Sequence, residues 1–484
     1  MQTEQTVQSV GGFFNPSKGI DYYAYLGDSQ FSIQFQKPSS TTPWGTPGQM
    51  LANNFQISES DIGMLEHTGR FQWHLKQNGN EIASRYAEIA PSDGSLGDCN
   101  MANMMQTPSL VSPGYAVSYG FYDSGSGKIG TLTNQDQSYV YATANLSNWM
   151  RDLVNASPAV GSAPFNCFVL PGAHDAGMFD LNCCQTLLNN DTFRSNLGAA
   201  VGVGIATLPT SVVNRIIINL AFTQKDTVNT MLDLGIRYFD FRPGYCITDP
   251  TAAGGLYHQH NFIPGYSYEQ FLQNCLSWLM SHPTEIVVVA LGHSGFNKDF
   301  MRASTDTLSA YLDGAMQATH TAGEAGEMPA IVVGDKSDLS SSYNNLIAAR
   351  KRLIFLNQYG FPNDAAKYDS YNDGYQTTDI NVILSALNNM NAGGQNGNDY
   401  TVLQLQGTAS GAGGGIFGSV ATLNDASSPL MSTKAKFDNA TYSWLMNNVP
   451  GRFSNQQLLV CLNDFADNAL TQICSTLTRQ RAGA

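Results

Sequence analysis

From about residue 160 onward, continuous apolar runs alternate with helical patterns. The runs are FNCFVL, IRYFDF, EIVVVALG, AIVVG, RLIFLN, YTVLQLQG and QLLVCLND, and amphipathic stretches such as YEQFLQNCLSWLMSH and NVILSALNNM lie between several of them. A strand that is apolar along its whole length must be covered on both faces, and a parallel neighbour needs a crossover connection. The pattern therefore predicts a mainly parallel sheet sheathed by helices. Seven or eight such strands over 160–484 fit a (β/α) barrel, whose functional residues would lie at the C-terminal ends of the strands.

Residues 1–155 read differently. IDYYAYLG, QFSIQFQ, GRFQWHLKQNG, GYAVSYGFYDS and SYVYATA alternate aromatic and β-branched residues with polar ones, punctuated by Gly, Ser, Asn and Pro. They predict an all-β, sandwich-like domain, with a hairpin turning at Asn78-Gly79. A chain of 484 residues is long for one domain and fits two, divided here as 1–155 and 160–484. The tyrosines and tryptophans of the first part suit either a β core or the recognition of sugar or lipid headgroups. Its His67 and His74 are expected to be surface or structural residues.

Composition narrows the function. A net charge of −14 and the lack of any long Lys/Arg run exclude a general nucleic-acid binder. They also exclude attraction to an anionic membrane by charge alone, so peripheral lipid contact would use a local patch or aromatics. Charged residues are only 13% of the chain, which suits an exported setting. The start MQTEQTVQSVGGFFNP lacks a basic segment followed by an apolar one, so a classical signal peptide is not expected, and the compartment stays open between export by another route and the cytoplasm. No transmembrane segment is expected. The nearest stretch, 197–222, is interrupted by Pro209, Asn214 and Arg215. Within it TSVVNRIIINLAF has helical spacing and would form a lid or a lipid-facing helix near the site or, more simply, pack on the barrel. The eight cysteines form no CxxC pair, which argues against a zinc ribbon, and the adjacent Cys183 and Cys184 are expected to be unpaired thiols rather than half of a disulfide. GTASGAGGGIFGS (407–419) reads as a loop without the phosphate-cradling pattern.

Ionisable residues gather where the strand rule puts a site. His174 and Asp175 follow FNCFVL, and Asp240 and Arg242 stand two apart near the end of IRYFDF. His258 and His260 alternate in YHQHN, and Asp464 ends QLLVCLND. Charges buried at strand ends are costly unless they meet one another. Two His, an Arg and several carboxylates are what metal-free phosphodiester cleavage requires: a general base, a general acid, a phosphate clamp, and carboxylates that orient the imidazoles.

LPGAHDAGMFD, QKDTVNTMLDLGIRYFDFRPG, LYHQHNFIPGYSYEQFLQNCLSWLMSHPTEIVVVAL and the terminal QQLLVCLNDFADNALTQIC together resemble the X-region of the phosphatidylinositol-specific phospholipase C superfamily, in its bacterial form. The resemblance covers roughly 160–484 and implies a distorted TIM barrel and a phospholipid or other phosphodiester substrate. It implies His174 as general base with Asp464 behind it, a second His as general acid supported by Asp175, and Arg242 on the phosphate. The acid is His258 or His260, with His260 favoured. Asp240, the other His of that pair, His293 and Tyr359 are expected to contact substrate. The calcium-dependent members carry Asn after the first His and a Glu and an Asp on the next strand. Asp175, Asp240 and Arg242 at these positions imply a site with no cofactor. GHSGF (292–296) and NQYGF (357–361) lack the basic residues that bacterial members place there, so the headgroup contacts are expected to differ. Two alternatives stand beside this expectation: a metal-assisted, glycerophosphodiesterase-like enzyme using calcium or magnesium on Asp175 and Asp240, and a non-enzymatic lipid- or sugar-binding or membrane-active protein acting through its first domain.

Overall fold

The computed structural model describes residues 19–92, 94–124, 135–201, 208–246, 255–296, 298–322, 330–361, 364–371, 377–390, 397–407 and 428–484. The N-terminal stretch read for a signal and nearly all of the Gly-rich 407–419 segment lie outside them.

Eight strands form one parallel sheet: Val169–Ala173, Tyr238–Phe241, Val287–Leu291, Val332–Gly334, Lys351–Asn357, Tyr368–Asp369, Tyr400–Gln404 and Leu458–Asn463. Val169–Ala173 lies between Tyr238–Phe241 and Leu458–Asn463, so the first and last strands close on each other as a barrel demands. On the far side the barrel is distorted. Val332–Gly334 does not sit between its sequence neighbours but pairs on the outside of Lys351–Asn357, leaving it and Tyr368–Asp369 as the two edges. Among the described residues no ladder joins these edges. Both are three residues or shorter, which limits the exposed backbone an edge presents.

Alternate residues explain the continuous apolar runs. Leu170, Tyr238, Val288, Ile354, Val402 and Val460 share one core, while Phe239, Val287, Val289, Leu353 and Phe355 join another with the helix Tyr268–Ser281. At the N-terminal ends of the strands, Arg237 and Glu285 are wholly buried and paired at 2.8 Å. The same guanidinium donates to the carbonyls of Leu232, Ile236 and Ser147 and lies over the Trp278 ring. These charges belong to the floor of the barrel, opposite the strand ends that carry His174 and Asp464.

The N-terminal part contains two five-stranded sheets. They share a core of Tyr22, Phe35, Phe55, Phe71 and Trp73, with the Tyr22 and Phe35 rings 4.4 Å apart. The hairpin Gly69–Gln77/Asn80–Ile89 turns where expected. Asn78 and Gly79 have φ of 49° and 83°, the pair of positive values a tight hairpin needs. One of the sheets is covered on both faces. Tyr23, Tyr25, Tyr139 and Tyr141 pack into the same core as Phe437 and Tyr442 of the helix Pro429–Asn448 and Ile473 of the helix Asn468–Arg481. All eight residues of the strand Asp136–Thr143 are buried for this reason. The helix Thr210–Ala221 adds Val213, Ile216, Ile217 and Ala221 to that core, as expected of a helix packed on the barrel. No described helix is long and apolar enough to cross a membrane.

Removing one partner of the floor pair strands a buried charge. Glu285→Ala is expected to lower unfolding free energy by about 3–5 kcal/mol, read from urea denaturation, without altering the far end of the barrel.

Candidate active site

Asp175 is the first residue past the strand Val169–Ala173 and its neighbour His174, and it takes a left-handed backbone, φ 43°. Asp tolerates this conformation better than most residues, and it turns the carboxylate inward where a β-branched residue would be strained. The turn is held from below. Thr223 Oγ1 donates to the carbonyls of His174 and Asp175 at 3.2 and 3.1 Å. Gln224 Nε2 donates to the carbonyls of His174 (2.8 Å) and Asn463 (3.1 Å), while its Oε1 accepts from Ala466 N at 3.0 Å. One carboxamide thus clasps the ends of the first and last barrel strands.

Asp175 has no exposed surface, and its carboxylate meets four nitrogen-bearing groups. Oδ1 accepts from Arg242 Nη1 at 3.0 Å and from His258 Nε2 at 3.2 Å. Oδ2 lies 2.6 Å from His260 Nδ1 and 3.5 Å from His174 Nε2. Burial works to keep the Asp175 carboxyl protonated, but Arg242, His174 and His260 outweigh it and hold the carboxyl well below the usual range.

The two candidate acids differ sharply. His258 is wholly buried, and its Nδ1 accepts from the backbone N–H of Arg242 at 3.2 Å. The proton therefore sits on Nε2, facing Asp175. Burial lowers its proton affinity, and both ring nitrogens are engaged. His258 supports Asp175 and has no free atom for substrate. His260 keeps a quarter of its side chain exposed, with Nδ1 fixed by Asp175, and its Nε2 makes no hydrogen bond among the described residues.

His174 mirrors this arrangement. Its Nδ1 is 2.7 Å from Asp464 Oδ1, and its side chain is 14% exposed. Burial depresses the imidazole, but the Asp175 and Asp464 carboxylates prevail and raise it to about 9. Burial pushes the Asp464 carboxyl up, and His174 pulls against it. Arg242 places Nη2 2.7 Å from Asp240 Oδ2 and 3.5 Å from His174 Nε2, and the two flanking carboxylates keep it cationic despite burial. Asp240 is therefore engaged by the guanidinium. His174, Asp175 and Asp240 offer ligand atoms within 4.8 Å of one another, a spacing a metal ion could span.

The remaining two predicted residues stand apart from this cluster. Tyr359 is 9% exposed, and its hydroxyl donates to Pro243 O at 3.2 Å, so it presents no free polar atom. His293 is half-buried, packs edge-on against Tyr359 at 5.2 Å, and its backbone N–H donates to Gln358 Oε1 at 3.2 Å. Burial and nearby Arg302 lower its proton affinity.

Several supporting residues carry no sequence signal. Asn463 Oδ1 accepts from Asp464 N at 3.0 Å, and Asn463 Nδ2 donates to Asp438 Oδ1 at 2.8 Å and Tyr442 Oη at 3.0 Å. Gly177 is required by proximity: a Cβ there would lie 2.4 Å from His258 Cβ. Gly177→Ala is expected to push His258 off Asp175 and to cost about 1–3 kcal/mol of stability, read from denaturation midpoints.

A histidine whose folded affinity is raised stabilises the fold fully below its unfolded value of about 6.5, and this stabilisation is lost as pH rises through about 9. The parent should lose urea resistance between pH 6.5 and 9. Asp464→Asn, which removes one raising carboxylate, should flatten that slope relative to the parent.

No protein-family model matches the chain. Two curated relatives do: a PI-PLC X domain-containing protein 1 from Danio rerio, 31% identical over 131 residues (27% of this chain, 40% of that protein), and its namesake from Mus musculus, 27% identical over 144 residues (30% and 38%). The matches span about two fifths of those relatives' length. Among solved structures, the phosphatidylinositol-specific phospholipase C from Listeria monocytogenes covers 69% of this chain and 98% of its own at 13% identity, TM-score 0.39. A variant of the Staphylococcus aureus enzyme of that name covers 69% and 96% at 14% identity, TM-score 0.39. Over these 131–144 residues the chain is similar to the two PI-PLC X domain-containing proteins, the kind of relative its motifs led one to expect.

Proposed function

We propose that this protein is a metal-independent phosphodiesterase of the phospholipase C type, acting on a phospholipid such as phosphatidylinositol. The observation that carries the proposal is the pair of imidazoles, His174 and His260, each with Nδ1 bound to a carboxylate and each partly exposed beside one guanidinium. A pinned Nδ1 fixes the tautomer and leaves Nε2 for the reactants.

In this proposal Arg242 binds a non-bridging phosphate oxygen and offsets the charge that develops on it. His174 Nε2 takes the proton of the attacking hydroxyl, whose oxygen bonds to phosphorus. The bond to the leaving alkoxide breaks, and that oxygen takes its proton from His260 Nε2. When the nucleophile is the headgroup's own neighbouring hydroxyl, a cyclic phosphate is released; when it is water, the product is a phosphomonoester. Asp464 and Asp175 orient the two rings and do not exchange protons. His293, beside the end of the strand Val287–Leu291, is left for the headgroup.

The metal-assisted alternative is disfavoured by the donor set itself. Arg242 bonds both carboxylates that would have to bind the ion, and the other oxygen of Asp175 faces His260 and His174. A divalent cation would have to displace a guanidinium already held by two charge-assisted bonds.

Phosphatidylinositol vesicles should be cleaved in excess EDTA. His174→Ala should lower the rate on the order of 10²–10⁴-fold while leaving the denaturation transition cooperative. Activity abolished by EDTA and restored by calcium would establish the metal-assisted reading instead, and undiminished turnover in His174→Ala would remove His174 from the chemistry.

A further inference from the structure

We propose that Cys183 and Cys246 are a redox-active pair that closes to a reversible disulfide behind the catalytic cluster. Their sulfurs are 3.9 Å apart, although 63 residues separate them in the chain. Cys183 lies on the short helix Asn182–Leu187, which follows the His174–Asp175 turn, and Cys246 lies just past Arg242 and the bridge Pro243–Gly244. The strand between His258 and His260 holds the second sulfur: Gln259 Nε2 lies 3.4 Å from Cys246 Sγ. The Tyr257 hydroxyl, on the same strand, hydrogen-bonds the Cys183 thiol. Three segments that carry site residues therefore converge on two thiols. A disulfide bond of about 2.05 Å requires these sulfurs to approach by about 2 Å, within reach of rotation of two short side chains.

The adjacent cysteines at 183 and 184 are not equivalent. Successive helical residues point about 100° apart, so only one of them faces Cys246. Cys184 is wholly buried, and burial raises its thiol further from ionisation. Cys183 is partly exposed. Chemistry thus starts at Cys183. With glutathione disulfide as oxidant, the Cys183 thiolate attacks one glutathione sulfur, forming a mixed disulfide and releasing one glutathione thiolate. Cys246, whose thiol is pushed up by its neighbour and by burial, then gives up its proton and attacks Cys183 Sγ. The protein disulfide forms and the second glutathione leaves, so two thiols are oxidised and one glutathione disulfide is reduced.

The pair acts on structure, independently of which phosphodiester the cluster cleaves. The full-length native protein is incubated with reduced or oxidised glutathione, alkylated, digested without reduction, and mapped by fragmentation mass spectrometry. Expected is a Cys183–Cys246 link, two hydrogens lighter, that dithiothreitol reverses and that Cys184→Ser retains. The oxidised parent should also melt at a higher temperature than the reduced parent, a rise absent in Cys183→Ser. Any of three results overturns the proposal: a stable glutathione adduct at Cys183 without the link, a Cys183–Cys184 bridge, or free thiols at both positions under oxidised glutathione. Because the map is made on the parent chain, it decides the matter even where Cys246→Ser does not fold.

Discussion

The buried carboxylate of Asp175 is the constraint around which the C-terminal ends of the barrel strands are arranged. A carboxylate without solvent contact is tolerated only when its lone pairs are met by donors, several of them charged. Those donors come from the strand Tyr238–Phe241, through Arg242, and from the strand Tyr257–His260, through His258 and His260, while Asp175 itself follows the first barrel strand. No pair among these suffices. Without His258, one oxygen would depend on Arg242 alone; without Arg242, a buried negative charge would face rings able to stay neutral. The left-handed turn at Asp175, the glycine at 177 and the carboxamide of Gln224 follow from the need to bring that carboxylate to one point.

The second layer extends the same logic into the N-terminal sheets. Lys434 is wholly buried and bonds Asp438 and Asp467 at 2.7 Å each. Asp438 accepts from Tyr141 in the sheet and from Asn463 beside Asp464. On the other side, Lys225 donates to Thr107 O, and Asp226 receives the backbone and hydroxyl of Ser109, directly after the Gln224 clasp. Both ends of the His174–Asp464 pair are therefore braced by side chains anchored in the N-terminal sheets. Since buried polar networks of this kind are costly when half satisfied, the covered sheet is part of the scaffold of the site.

Much of this was legible in the sequence, for stated physical reasons. Long runs apolar on both faces admit few architectures, so the parallel barrel could be read from them, and a pattern of two residues per repeat put Asp240 with Arg242 and His258 with His260 on common faces. What could not be read depends on contacts distant in the chain. Tyr368–Asp369 is too short to leave a run, and Val332–Gly334 reads like any strand although it pairs outside its expected place. The tyrosines of IDYYAYL and QSYVYAT alternate as a half-exposed strand would, yet both faces are covered, because Tyr is tolerated in a core as readily as at a surface. The choice between His258 and His260 turns on one backbone N–H, that of Arg242, and no spacing encodes it. Gln224, Asn463 and Asp438 look like ordinary polar residues until the strand ends they join are adjacent.

The charges of the cluster explain why stability and chemistry are tied to one another here. Burial and the Arg242 guanidinium lower the proton affinity of His174, but the Asp175 and Asp464 carboxylates prevail and raise it to about 9. The same carboxylates that fix the ring thus favour its protonated form, in which the proposed base could not act. A weaker field would free the base sooner, but it would also loosen the ring and leave Arg242 less firmly held. An anionic phosphodiester entering beside Arg242 strengthens the pull on the His174 proton. On the proposed mechanism, then, catalysis at neutral pH draws on the minority of molecules with His174 neutral, and the electrostatic arrangement that folds this end of the barrel sets how large that minority is.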